Sequence, residues 1–164
     1  MFKRLCNGLM WVAETLSWIA FAALIVTVAW QVSARNLLQT PTIWTSDVAQ
    51  ILFTWLIFVG AAIGLRRHAH YFVDLVPAGH PRLGRLLDWL GILAGAIVAA
   101  ILIRQGWVLA QIRASGVVQS LGISRFWTFL ALPTGGSLMA LFVIERALEL
   151  WRDGTRTQDA AGSR

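Results

Sequence analysis

Charge is what this sequence has least of: Asp, Glu, Lys and Arg make up 13% of its 164 residues, where a soluble domain carries about 25%. Cysteine is nearly absent. Cys6 stands alone, which excludes an internal disulfide framework and any cysteine-built zinc or iron–sulfur centre. Histidine occurs three times, at 68, 70 and 80, and never inside a long apolar run, so the axial imidazoles of a membrane haem bundle are missing. No glycine-rich phosphate loop and no nucleophile–base constellation is present. What is abundant is apolar: 57% hydrophobic residues, nine Trp and a mean hydropathy of +0.66. That composition excludes disorder and points to an all-α membrane protein.

A helix needs about 20 mostly apolar residues to cross ~30 Å of hydrocarbon. Charge-free runs extend from Thr15 to Ala34, Val48 to Leu65 and Phe126 to Ile144, and a further run from Trp89 to Ile112 is interrupted only by Arg104. Four transmembrane helices are therefore expected, at about 11–33, 47–65, 88–112 and 126–149, in one membrane domain over 1–151. The polar stretch 152–164 is expected to be a disordered cytoplasmic tail. Trp11, Trp30, Trp44, Trp89, Trp107, Trp127 and Trp151 fall near the ends of these spans, where an amphipathic indole is most favoured. Trp18 and Trp55 lie deeper and are expected to pack between helices.

The cations report orientation. Ten of the fourteen lie in the N-terminus, the 66–88 connection and the C-terminal segment, while the other two connections hold only Arg35, Arg113 and Arg125. By the positive-inside rule both termini and the 66–88 connection are cytoplasmic. The net charge of +6 is thereby explained without nucleic acid. A competing reading is a cleaved secretory signal, with Lys3 and Arg4 before an apolar run that ends Val32-Ser33-Ala34. That run exceeds the ~7–15 residues of a signal core, which favours a retained helix.

In the connections, Ser46 or Asp47 is placed to cap the second span. The segment from Arg66 to Trp89 mixes cations with large apolar residues around Pro77 and Pro81, and reads as an amphipathic interfacial segment between helices two and three. His68 and His70 stand two apart, whereas ligands on one helical face want three or four. Solvated interfacial histidines are the simpler reading than a metal site with His80. Gly60 with Gly64 and Gly91 with Gly95 are small-residue pairs suited to close helix contact. Glu14 is either an intramembrane acid or, given the nearly full span after it, an acid at the cytoplasmic boundary. Arg104 has a stem long enough to reach the outer headgroups or to meet Asp47. Glu145 and Arg146 are read as part of a solvated face with Glu149 and Arg152.

Four ordered elements then resemble one family. Gln31-Val32-Ser33-Ala34-Arg35-Asn36 is similar to its helix end, and Trp44-Thr45-Ser46-Asp47 to its Trp and acid before the second span. Trp55-Leu56-Ile57-Phe58-Val59-Gly60-Ala61-Ala62 looks like its W-L-x-F-x-G-A core, and Arg66-Arg67-His68-Ala69-His70-Tyr71-Phe72-Val73-Asp74 like its basic V-D exit. The family is the small membrane subunit, DctQ-like, of tripartite ATP-independent periplasmic (TRAP) transporters. Two points depart from its pattern: the acid at 47 is Asp where Glu is usual, and the motif His is either 68 or 70.

The resemblance implies a scaffold in the bacterial inner membrane, with no enzymatic activity and no cofactor. Its implied partners are a large elevator-type membrane subunit, a periplasmic substrate-binding protein that captures an organic acid such as a dicarboxylate, and the lipid bilayer. Trp55, Gly60 and Gly64 would then pack against the large subunit or within the bundle. Arg35, Asp47, Arg113 and Arg125 would face the periplasmic protein, where charge sets orientation and on-rate. Arg66, Arg67, His68, His70 and Asp74 would anchor the inner membrane interface. The rival is a self-sufficient four-helix multidrug exporter that uses Glu14.

Overall fold

The computed structural model describes the backbone of residues 2–37, 39, 43–68 and 81–162, and side chains within 3–67 and 86–152 apart from 38 and 40–42. Helix α1 is Phe2–Leu37, α2 Ile43–His68 and α3 Pro81–Ile112. Strands β1 (Val117–Val118) and β2 (Ile123–Ser124) pair antiparallel, with Val117 opposite Ser124. Helix α4 (Phe126–Phe129) leads into α5, Ala131–Gly162. Among the described residues four helical stretches are long and apolar enough to cross a membrane.

Local chemistry accounts for the boundaries. Proline at 81 occupies the first position of α3, where no amide bond is lost. Pro133 cannot donate to the Phe129 carbonyl, and its ring crowds that carbonyl. The short helix α4 accordingly stops at Phe129, and α5 starts afresh at Ala131. Residues 152–162, expected as a disordered tail, continue α5 as helix. Adding residues to an existing helix avoids the nucleation cost, and a polar composition does not by itself stop propagation. Most of the interfacial segment expected between helices two and three, residues 69–80, lies outside the described residues.

The helices do not close into a symmetric bundle. Helix α5 packs against α3 on one side and α2 on the other, and α1 packs on α2, so the order across the layer is α1, α2, α5, α3. In the most apolar stretch of the fourth span 44% of residues are buried, against 6%, 6% and 11% in the first three. Helix α5 is the core. Cys6, Ala62 and Ala99 pack on its Met139 and Phe142, with Met10, Leu65, Leu102 and Leu138 around them. Small residues at these contacts let backbones approach.

Which glycines do this differs from expectation. A Cβ on Gly135 would lie 2.7 Å from Phe58 Cβ, one on Gly106 2.6 Å from Leu132 Cβ, and one on Gly136 2.9 Å from Leu102 Cβ. Gly95 fits the expected role, with Val143 at 3.0 Å, whereas Gly60 and Gly91 have nothing within 4 Å. Trp18, expected between helices, is 72% exposed. Its face of α1 points away from α2 and α5, the helices that α1 contacts.

Candidate functional site

Two polar clusters stand at opposite ends of the layer. The first lies where α1 begins and α2 ends. Arg66 sits near the end of α2, and its guanidinium donates Nε to Glu145 Oε2 and Nη2 to Glu145 Oε1, both at 2.9 Å. Nη2 also reaches Asn7 Oδ1 at 2.6 Å, and Nη1 the main-chain carbonyl of Cys6 at 3.1 Å. The Phe142 ring lies under the cation, 5.0 Å from it. The Arg66 and Glu145 side chains are only 19% and 9% exposed. A planar fork with several fixed donors is what suits arginine to such a site. One side chain of α2 thus holds α1 and α5 together.

Around this clasp runs a wider belt of ion pairs. Arg67 donates Nη2 and Nε to Glu14 Oε1 at 2.6 and 3.0 Å. Lys3 meets Glu149 at 2.6 Å, and Arg146 bridges to Asp88 at 3.4 Å and Glu149 at 3.8 Å. The belt reaches all four long helices. Glu145 and Arg146 are therefore not parts of a solvated face: the α2 and α3 neighbours of α5 cover both. Glu14 is not an isolated acid: it is paired with Arg67.

The second cluster lies at the far end, on the chain between α3 and α5. Its turns are closed by Gly116 N–H to the Arg113 carbonyl at 3.0 Å, Gly122 N–H to Val118 at 2.8 Å and Arg125 N–H to Gly116 at 2.8 Å. Gly122 takes the left-handed conformation, φ 67°, open to glycine at no steric cost. Val118 is buried beneath the hairpin. Ser120 Oγ donates a short hydrogen bond to the Asp47 carboxylate, Gln31 Nε2 donates to Ser46 Oγ at 2.8 Å, and Trp55 Nε1 donates to the Trp127 carbonyl at 3.1 Å.

The expected site residues thus separate into groups. Arg66 and Arg67 meet α1 and α5. The side chains of His68, His70 and Asp74 lie outside the described residues. Trp55 is tied inside the chain by its indole N–H, and Gly64 is half-buried on α2. Helix α2 starts at Ile43, so Ser46 and Asp47 stand inside it and not at its cap. Their side chains bond across to Gln31 and Ser120, and Asp47 does not pair with Arg104. Arg35, Arg104, Arg113 and Arg125 are exposed, and among the described residues no carboxylate pairs with them. Arg113 leans over Phe129, 5.9 Å from its ring centre. Sequence reasoning missed Asn7, Ser120 and the Gly135-Gly136 pair. Only the adjacent glycines in an apolar run gave a signal.

Comparison with known proteins agrees in extent with this four-helix body. Residues 24–153 match the family of tripartite ATP-independent periplasmic transporters, DctQ component. The sialic acid TRAP transporter small permease protein SiaQ of Vibrio cholerae is 29% identical over 153 residues, covering 93% of this chain and 87% of that one. The C4-dicarboxylate TRAP transporter small permease protein DctQ of Rhodobacter capsulatus is 31% identical over 115 residues, 68% of this chain and about half (51%) of that one. The sialic acid TRAP transporter permease protein SiaT of Haemophilus influenzae is 27% identical over 136 residues, which are 82% of this chain but 21% of SiaT.

Proposed function

Since the chain belongs to the DctQ component family of tripartite ATP-independent periplasmic transporters, we propose that it is the fixed scaffold of such a transporter in the inner membrane. In this reading it holds a larger permease subunit that moves an organic acid inward on an ion gradient. The observation that carries it is the open layer: three of four spans bury 11% or less of their most apolar stretch within the chain. The match to a fifth of the longer SiaT permease supports a large membrane partner. SiaQ and DctQ are named for sialic acid and C4-dicarboxylates, both carboxylates, which supports an organic-acid cargo bound on other chains.

The ten-to-three cation count supports a clasp end in the cytoplasm and a hairpin end in the periplasm. Arg35, Arg113 and Arg125 then face a periplasmic substrate-binding protein, with Asp47 among them. Arg66, Arg67, His68, His70 and Asp74 stand at the inner interface. Gly60, with open space beside it, and Gly64 are offered to a helix of the large subunit, while Trp55 serves the chain's own packing. The exporter alternative is weakened because Arg67 already holds Glu14.

Mild-detergent purification of the tagged chain, expressed with its neighbouring genes, tests the reading. A large polytopic partner in the mass spectrum is the expected result. A homo-oligomer alone, conferring drug resistance that Glu14→Gln abolishes, would overturn it.

A further inference from the structure

The hairpin between α3 and α4 is a small hydrogen-bonded platform. Its turns are closed by the backbone bonds at Gly116, Gly122 and Arg125 already described, and by Ser124 Oγ donating to the Ala114 carbonyl at 2.7 Å. Gly116 is the point where the backbones of its two arginines are tied together. The residue bonds to Arg113 on one side and Arg125 on the other, and a Cβ there would lie 3.3 Å from both the Arg113 carbonyl oxygen and Arg125 Cδ. Two arginines twelve positions apart in sequence thereby have their backbones joined through one residue, and both side chains are exposed, with Arg113 over the Phe129 ring and no carboxylate paired to either among the described residues. The acid of this end, Asp47, is occupied instead: it accepts from Ser120 at the hairpin's turn, across from a different helix.

Resting on the docking reading above, we propose that Asp47 is a positioning residue and not a docking contact. Through Ser120 it fixes the hairpin so that Arg113 and Arg125 present one cationic site to an acidic patch on a soluble protein. Two cations held at fixed spacing lose little freedom on binding, so they recognise a carboxylate-bearing surface at a lower entropic cost than mobile ones. An acceptor is all that Ser120 requires of position 47; a negative charge is not.

The test uses the purified membrane complex in nanodiscs, with the soluble protein encoded beside it as the probe. Two quantities are read: amide hydrogen exchange at Leu121 and Gly122 without the probe, and association rate against ionic strength with it. Ser120→Ala is expected to speed exchange at both amides and slow association, leaving the salt dependence unchanged, and Asp47→Ala is expected to speed exchange at the same two amides. Arg113→Gln and Arg125→Gln should leave exchange alone, slow association by about tenfold and flatten its salt dependence. Asp47→Asn, which keeps an acceptor, should preserve protection and should not slow association. Slower association in Asp47→Asn with protection intact would overturn the proposal and make Asp47 a charge contact. Unchanged exchange in both Asp47→Ala and Ser120→Ala would overturn the positioning role. A wild-type complex that binds no soluble protein would overturn the docking reading itself, while exchange still judges the Asp47 anchor separately.

Discussion

The two ends of the helix layer hold their chains together by different means. At the clasp end, cations and acids pair across helices: Arg66 with Glu145, Arg67 with Glu14, Arg146 with Asp88 and Lys3 with Glu149. At the hairpin end the links are neutral donors, Gln31, Trp55 and Ser120, and the arginines stay unpaired among the described residues. Burial explains the division. Arg66 and Glu145 lie in a partly dry site where an unpartnered charge is costly, so each is needed by the other. Exposed arginines are hydrated and need nothing from their own chain. One end ties the helices to one another through paired charges, and the other leaves its arginines in water with no carboxylate partner among the described residues.

The sharpest way to break this contrast is to remove one member of the clasp. Glu145→Ala strands the Arg66 cation and should cost about 3–5 kcal/mol, read as a fall in the melting temperature of the detergent-solubilised chain. The double variant Arg66→Met with Glu145→Leu should fall less, because no buried charge is left unpaired. Next in size is Gly135→Ala, whose new methyl meets Phe58 at 2.7 Å and should cost about 1–3 kcal/mol by overpacking. Gly60→Ala meets nothing, and should be neutral or stabilising by up to about 1 kcal/mol in the isolated chain. It should nevertheless reduce the yield of co-purified large subunit.

At the hairpin end Trp55→Phe removes one donor and should cost about 1 kcal/mol, again by melting temperature. The smallest effect belongs to Glu14→Gln. Its pair with Arg67 has side chains 27% and 64% exposed, so the loss should be on the order of 0.5 kcal/mol and should vanish in high salt. Uptake by the assembled complex should be unchanged.

The four spans were legible because length and apolar run follow directly from the bilayer's thickness. Orientation within the layer was not. Depth along the span pointed Trp18 toward packing between helices, yet depth does not say which side of a helix meets a neighbour when both sides are apolar. Arg66 was read as an interface cation, but its partner lies 79 positions away, and a single sequence carries no signal for such a pairing. Glu145 read as solvated because its neighbours Arg146, Glu149 and Arg152 are charged; the arriving Arg66 reverses that reading. The hairpin hid in a polar connection too short in strand to show alternation, with Gly116 and Gly122 as its only marks.

The position of α5 in the chain sets an order of events in synthesis. The helix on which α2 and α3 pack is made after both, and Glu145 is made 79 residues after the Arg66 it holds. Until α5 enters the membrane, Arg66 lacks Glu145 and α3 lacks the helix that supplies most of its packing. The α1–α2 pair can assemble early and α3 must wait. A ribosome that stops before α5 therefore releases three helices with no common support, and the cell's quality control would meet them as an orphan.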